Sequence, residues 1–373
     1  MTTTIVYRIK PGGTPGTDCE YTSLNTFEAG ERANLTLPTG GIDTIKVAEV
    51  YGTGNCLSGA GMVNFSSSWV MDSTHYVEII AAAGHEHTGV WNTGKAYGLN
   101  ATERCIYSAN SDDYIHLTKM QFKGYNQPIS SYANVTIDRC IIQQDYAAVP
   151  AGSCVRVDGG TAIVRNSILI CGAFGVGTMD TPAVASVYNC TIIGLGHGGY
   201  WMVGGWAGSC TSQNNYIYHI DGSDCYSAPS YVTKGTNDAT YNAEAVTANL
   251  RSIPYSTATF LNVTPGSENL HLTVSAGNKL INNGANLSGQ GVTVDIIGTA
   301  RPQAGAYDIG AFENDIPICW NYTARYKNSN KLFKASGCGP FPKTLQVPSN
   351  IDTSTGKMID DGVFISPDKY EII

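Results

Sequence analysis

One pattern recurs in VTIDRCII (Val135–Ile142), IVRNSILI (Ile163–Ile170), SVYNCTII (Ser186–Ile193) and SQNNYIYH (Ser212–His219). Each copy contains an alternating apolar strand, a polar residue where the chain turns, and a short, mostly apolar run. The copies lie 27, 23 and 25 residues apart when they are aligned on Arg139, Asn166, Asn189 and Asn214. IHLTKMQF fits the same frame upstream, with Lys119 in register. A repeat near 24 residues with strand periodicity predicts a solenoid whose coils bury their apolar sides against one another.

This pattern predicts an all-β fold, a single-stranded right-handed parallel β-helix with an N-terminal cap and a C-terminal accessory β module. Charged residues make up 14% of the chain, which has 42 glycines, and such a composition suits strands and turns. We expect the cap in residues 1–45, with a helix near Leu24–Ala33. Coils should occupy residues 46–313, including ordered strands after residue 265. Residues 314–373, richer in Lys and Pro, should form an assembly module with the short strands KTLQVP and GVFISP.

Charge and hydropathy exclude several partners. The net charge of −8 and the lack of a basic patch argue against nucleic acid. No run of 18 apolar residues exists, so we expect no membrane span. The eleven cysteines include no C-x-x-C spacing, and several lie in apolar strand runs. We therefore expect reduced core thiols, although a disulfide framework is the alternative interpretation.

The N-terminal sequence MTTTIVYRIKPGG lacks the apolar run of a secretory signal. The surface is nevertheless rich in hydroxyl and amide groups, as in proteins exposed outside cells. A virion component that folds in the host cytoplasm would reconcile these two features. A bacterial protein exported by another route is the alternative.

The stretch DIIGTARPQAGAYDIGAFE (Asp295–Glu313) resembles the closing motif of right-handed β-helix proteins of the adhesin and pectate-lyase-like superfamily. The matching positions are Asp295, Gly298, Arg301, Pro302, Asp308, Gly310, Ala311 and Glu313. The resemblance implies the fold and leaves the function open, because this fold supports lyases, hydrolases, adhesins and phage spikes. Arg301 offers a bidentate donor for Asp308 or Glu313, so we expect a structural ion pair that ties the last coil together.

Residues 20–95 resemble the first region of β-helix proteins from bacteriophages. The matches are Tyr21 to Leu24, Glu28, Ala29, Val47 to Glu49, Tyr51 and Gly89 to Lys95, while Phe27 replaces the usual Trp. This resemblance implies a virion protein that decorates the capsid or belongs to a tail spike or fibre. Its expected partners are other virion proteins, further copies in a homo-oligomer (most simply a trimer), and cell-surface glycans.

Two alternative functions remain open. A phage polysaccharide depolymerase, either a lyase or a glycoside hydrolase, would need converging carboxylates in a groove. A bacterial surface adhesin would need an export signal or an anchor. The candidate acids are Asp112, Asp113, Asp138, Asp145, Asp158 and Asp180. No two of them occupy the same position in successive repeats, so we assign no catalytic residue. Asp138 should form an exposed ion pair with Arg165 on the next coil.

Three further groups of residues are candidates for a site. Asn166, Asn189 and Asn214 fit a ladder of stacked amides at a turn of the β-helix. His85 and His87 could bind a metal from one strand face, but the surrounding sequence predicts a loop, and we expect no metal or cofactor. The uncharged insertion GLGHGGYWMVGGWAGS (194–209) contains Tyr200, Trp201 and Trp206. These rings could stack on a sugar, contact a neighbouring subunit, or fold back on their own solenoid.

Overall fold

The computed structural model divides the chain into two compact units, Met1–Asn314 and Asp315–Ile373. In the first unit the structure describes residues 2–36, 41–58, 61–65, 69–149, 152–196, 201–220, 224–228, 230–275, 277–303 and 305–314. In the second unit it describes the backbone of five strands.

Three parallel sheets form the first unit, with strands numbered in chain order. The first sheet contains, in spatial order, β1 (Thr3–Ile9), β2 (Thr44–Val50), β4 (Val77–Ala81), β7 (Tyr114–Thr118), β10 (Asn134–Asp138), β13 (Thr161–Arg165), β16 (Val184–Tyr188), β19 (Ser209–Gln213) and β21 (Val232–Lys234). The second contains β22 (Ala239–Thr240), β20 (Tyr216–His219), β17 (Thr191–Gly194), β14 (Ile168–Cys171), β11 (Ile141–Gln144), β8 (Gln121–Gly124) and β5 (Tyr97–Asn100). The third contains β18 (Val203–Gly205), β15 (Phe174–Thr178), β12 (Ser153–Val157), β9 (Ile129–Ser131), β6 (Ile106–Ser108) and β3 (Val63–Phe65).

Each coil passes through the first, second and third sheets in turn, so that strands stack in parallel on the coil before. This confirms the predicted right-handed parallel β-helix. The inward positions also agree with the alternation in the sequence, because Ile137, Val164 and Val187 are fully buried. All nine cysteines of the first unit are free and buried. They pack as small apolar residues.

The turn between the first and second sheets uses a left-handed residue in five successive coils. These residues are Lys119, Arg139, Asn166, Asn189 and Asn214, with φ between 49° and 59°. They are the residues on which the sequence repeats align. Asparagine adopts this conformation more readily than most other residues with a side chain, which explains its use in three of the coils.

The N-terminal region contains both a helix and a strand of the solenoid. Helix α1 (Leu24–Glu31) begins with a capping box, in which the Ser23 hydroxyl accepts a hydrogen bond from the Thr26 amide. Phe27 is fully buried. Strand β1 pairs in parallel with β2 over seven residues. The region therefore provides the first strand of the first sheet in addition to the helix.

After β22 the chain stops adding coils. Residues 241–314, here called the return segment, contain the antiparallel pair β23 (Phe260–Asn262) and β24 (Asn269–Leu272) and two 3-10 turns, Ala248–Leu250 and Ser288–Gln290. We predicted coils up to residue 313. The structure differs because this segment folds back and packs its own apolar residues on the outer side of the second sheet.

The contact between the return segment and the second sheet is apolar. Ile168 and Ile193 project outward from the sheet and join one cluster with Phe260 and Ile309 of the return segment. Strands β14 and β17 are consequently buried on both faces. This explains why the short runs ILI and TII in the repeats are so apolar, since neither face of these strands meets water.

The second unit contains antiparallel strands. Its three-stranded sheet has the order β26 (Leu332–Cys338), β25 (Cys319–Tyr326) and β29 (Tyr370–Ile372). A second pair joins β27 (Asn350–Ile351) to β28 (Met358–Ile359). The two strands expected from KTLQVP (343–348) and GVFISP (362–367) lie outside the described residues.

Candidate functional site

The outer face of the third sheet presents one side chain per coil in a continuous column. The strand register places Tyr107, Ser130, Arg156, Gly177 and Gly204 side by side on successive strands. The two glycines at one end of this column are covered by other side chains, Gly177 by Met179 and Trp201, and Gly204 by Ser227. Trp201, just before β18, lies beside Gly177.

Three aromatic rings at this place form a cluster, here called the aromatic patch (Phe174, Trp201 and Trp206). The ring centroids of Phe174 and Trp201 are 4.7 Å apart, and those of Trp201 and Trp206 are 6.2 Å apart, both in edge-to-face geometry. The Trp206 amide donates to the carbonyl of Thr178 at 3.0 Å, which fixes the loop on the third sheet. Trp206 is nevertheless 56% exposed.

Trp201 packs beside Gly177 of the third sheet. A Cβ at position 177 would lie 3.6 Å from the ring of Trp201 and 2.8 Å from the terminal methyl of Met179. Trp201 is therefore folded against its own solenoid, while Trp206 presents most of its surface to solvent. Tyr200, the third aromatic residue predicted here, lies outside the described residues.

Polar side chains continue the site beside the aromatic patch. Arg156 Nε donates to Asp158 Oδ1 at 2.6 Å, and Ser130 Oγ donates to Asp158 Oδ2 at 3.3 Å. The Asp158 side chain is buried, whereas that of Arg156 is partly exposed. The pKa of Tyr132 is raised, first by the negative charge of Asp158, then by burial, with a smaller effect of Asp180.

The other candidate acids lie elsewhere. Asp113 is buried and accepts a hydrogen bond from Ser108 Oγ at 2.9 Å, and burial raises its pKa to about 6. Asp145 lies in the turn after β11, and Asp112 is exposed. The expectation that Asp138 forms an exposed ion pair is wrong. Its carboxylate is buried and contacts Arg139, Arg165 and Asn166, because the turn and the next coil close over the end of β10.

The asparagine column makes one direct amide contact between coils. Asn214 Nδ2 donates to Asn189 Oδ1 at 3.1 Å. Asn166 Nδ2 donates to Asp138 instead, at 3.0 Å. Carbonyl groups of the return segment accept further hydrogen bonds from these side-chain amides. Asn189 donates to the carbonyl of Asp308 and Asn214 to that of Ala285, both at 2.8 Å. The column thus joins coils to each other and to the return segment.

The closing motif forms a buried ionic cluster. Arg301 donates to Glu313 at 2.8 Å, and both side chains are almost completely buried. The guanidinium also donates to the carbonyls of Asp308 and Gly310, and Glu313 accepts from the amides of Gln303 and Asp308. The carboxylate of Asp308 accepts two backbone amides, those of Asn282 and Asn314. The motif therefore organises the return segment, which lies beside the coils.

The two histidines of the H-E-H sequence do not converge on a common point. His85 Nδ1 accepts from the amide of Gly52, while His87 Nε2 donates to the carbonyl of Arg139. Burial lowers the pKa of His87 to about 4. Across the described ranges, no group of three or more His, Cys, Asp or Glu residues could hold a metal ion. The helices in that part of the chain are also too short or too polar to cross a membrane.

Comparison with known proteins gives little further information. No family model matches the chain, and no curated protein matches it. Among solved structures, it is similar to the crystal structure of pectate lyase Pel9A, with a TM-score of 0.42 and 13% sequence identity. The match covers 84% of this chain and 97% of that one.

Proposed function

We propose that this protein is a structural β-helix of a bacteriophage virion, in a capsid decoration, tail spike or fibre, and that it contacts glycans through the aromatic patch. The virion role is supported by the resemblance of residues 20–95 to phage β-helix proteins. The glycan role is supported by one structural observation above all. Trp206 is held by Trp201 and Phe174 with more than half of its surface exposed, on a uniform column of small and polar residues.

This arrangement has the chemistry that sugar binding requires. A fixed aromatic ring stacks on the apolar face of a sugar and loses little conformational freedom when it does so. Neighbouring hydroxyl and guanidinium groups can then bond the sugar hydroxyls, and the partly exposed side chains of Tyr132 and Arg156 lie beside and within the same outer column. Successive coils are stacked about 4.8 Å apart, so residues on several coils can contact an extended chain of sugars.

A panel of bacterial lipopolysaccharides and capsular polysaccharides tests the glycan role by calorimetry. Trp206→Ala should weaken binding at least about tenfold, equivalent to about 1.4 kcal/mol. Leu261→Ala is the matched control, because Leu261 is also 56% exposed but lies in the return segment. Equal effects of the two substitutions, or no binding of any polysaccharide in the panel, would exclude the patch as a glycan site.

A depolymerase is a second candidate, favoured by the positions of Asp158 and Asp180 after paired strands of neighbouring coils. The register places Val157 opposite Thr178, so the two acids follow strands on neighbouring coils and are offset by one position. Carboxylates on adjacent coils can reach the separation that a retaining glycosidase uses. Release of reducing ends or unsaturated sugars from a bound polysaccharide, abolished by Asp158→Asn or Asp180→Asn, would establish this activity. Binding without such release would favour the structural role.

We also propose that the protein assembles as a homo-oligomer, most simply a trimer, through residues 315–373. Short antiparallel strands such as β27 and β28 are only marginally stable alone and gain stability by pairing with another edge. Light scattering of the full chain measures the number of copies directly. A monomer at all accessible concentrations would contradict this proposal.

A further inference from the structure

The column of left-handed residues changes its chemistry along the solenoid. Asn166, Asn189 and Asn214 are buried, and the last two donate directly to the return segment. In the two preceding coils the same position is occupied by Lys119 and Arg139, which are partly exposed. A lysine or an arginine adopts the left-handed conformation less readily than asparagine. Two cationic residues therefore occupy a position at which the left-handed backbone favours asparagine.

Arg139 pairs with Asp138 on its own coil, whereas Lys119 pairs with Glu86 and also lines a cavity. Arg139 Nε contacts Asp138 at 3.1 Å. Lys119 lines an open cavity of about 420 Å³, together with Glu86, Thr88 and Lys95. The loop after Asp295 forms the opposite wall, where Ile297 is 47% exposed. The cavity lies at the corner between the first and second sheets, and the aromatic patch lies on the third sheet.

The charges around this cavity give it a positive excess. Lys119 Nζ contacts Glu86 Oε1 at 3.4 Å, and Lys95 Nζ donates to the carbonyl of Gly84 at 2.8 Å. Each ammonium group has three hydrogens, so both retain capacity for another acceptor. His87 also lines the cavity but is neutral at physiological pH, since burial lowers its pKa to about 4. Two cations and one carboxylate thus line a cavity in a chain with a net charge of −8.

We propose that this cavity binds an organic monocarboxylate of about the size of one sugar unit. Lys119 and Lys95 would contact the carboxylate, Ile297 would pack on the apolar part of the ligand, and Glu86 would disfavour a second negative charge. This site is independent of the proposed glycan contact at Trp206, and either can fail without the other.

Calorimetric titration of the full chain at low ionic strength provides the test, with three probes. N-acetylneuraminate supplies a sugar carboxylate, its methyl ester supplies the same sugar without charge, and inorganic phosphate supplies an oxyanion without an apolar part. The carboxylate should bind at least tenfold more tightly than either of the others. Binding of the ester or of phosphate with equal affinity would overturn the assignment, as would a lack of binding by N-acetylneuraminate.

Lys119→Asn is a particularly informative variant, because asparagine occupies the same left-handed position in three other coils. It should keep the melting temperature of the native chain and weaken carboxylate binding at least tenfold. Lys95→Gln should weaken binding similarly, and Glu86→Gln should strengthen it severalfold. Arg139→Asn is the matched control, with the same charge removed at the same position one coil further on. If Arg139→Asn weakens binding as much as Lys119→Asn, general surface charge explains the binding and the proposal fails.

Discussion

The carboxylate of Asp138 accepts a hydrogen bond from the side-chain amide of Asn166 on the next coil, at 3.0 Å. Arg139 and Arg165 contact the same carboxylate at 3.1 and 3.3 Å. Asp138→Ala would leave a buried amide without its acceptor, so we expect a loss of about 1–3 kcal/mol in the free energy of unfolding. Urea denaturation measures it. Thr136→Ala, an outward change on the same strand, should cost much less, and similar losses for both would contradict this view of Asp138.

The buried pair Arg301–Glu313 predicts a larger effect. Glu313→Gln removes the charge that balances a fully buried guanidinium, and breaking such a pair costs about 3–5 kcal/mol. Chemical denaturation monitored by circular dichroism should show this loss. Glu20→Gln breaks the exposed pair with Arg8 and should leave the transition midpoint close to that of the native chain. A mild effect of Glu313→Gln would mean that the return segment is anchored by apolar contacts alone.

The buried thiols should be inaccessible until the protein unfolds. Burial raises the pKa of the Cys105 thiol to about 12, and the other eight cysteines of the first unit are likewise buried and free. A thiol reagent should therefore react with few of these nine groups in the native protein. In denaturant without a reducing agent, at least nine thiols should react per chain. Recovery of one or two thiols would demonstrate a disulfide framework instead.

His75 predicts a pH dependence of stability. Its ring joins Asp43 and Asp72, with Nε2 and Nδ1 each 2.8 Å from a carboxylate oxygen. The hydrogen bond with Asp43 is the largest cause of its raised pKa. The protonated ring therefore stabilises the fold fully below the unfolded value of about 6.5, and this contribution is lost as the pH rises through the folded pKa.

The melting temperatures of the native chain and of His75→Gln should accordingly converge as the pH rises from about 6 to 9. His116→Gln is the control, because burial lowers the pKa of His116 to about 4 and the ring stays neutral over this range. The difference in melting temperature between the native chain and His116→Gln should be independent of pH. A constant difference for His75→Gln would show that the bridge contributes no charge-dependent stability.

A truncation after Asn314 should separate folding from assembly. Residues up to Asn314 form one compact unit, and the Asn314 amide still donates to Asp308 within it. The truncated chain should unfold cooperatively with a melting temperature near that of the full chain and should be monomeric in light scattering. Failure to fold would show that residues 315–373 complete the core of the first unit.

The features that repeat along the chain were predictable from the sequence. The residues aligned at Asn166, Asn189 and Asn214 mark the left-handed turn, and the alternation before them identifies the buried positions. The return segment was not predictable in this way. Its contacts join residues about 120 positions apart, such as Asn189 and Asp308, and no periodicity encodes such a pairing. The runs ILI and TII contained a signal for it, because isoleucine or leucine occupies both an inward and an outward position in each run, which indicates burial on two faces.

The candidate sites were also only partly predictable from the sequence. Trp201 and Trp206 were predicted because aromatic residues in a glycine-rich, uncharged insertion are unusual. Tyr132 and Arg156 were not assigned to this site, because each belongs to an ordinary turn or strand and only the coil register places it near the patch. The cavity at Lys119 depends on a loop after Asp295, far along the chain.

The position of the return segment has a consequence for synthesis on the ribosome. The coils can stack as they emerge from the ribosome. The outer apolar face around Ile168 and Ile193 stays exposed to solvent until the return segment that covers it has been synthesised. Asn189 and its partner Asp308 are separated by 119 residues. At about 5–20 residues per second, this leaves an interval of roughly 6–24 s. During that time the nascent chain exposes an apolar sheet face to other chains that are being translated from the same mRNA. A chaperone that shields apolar strands would be needed most at this stage.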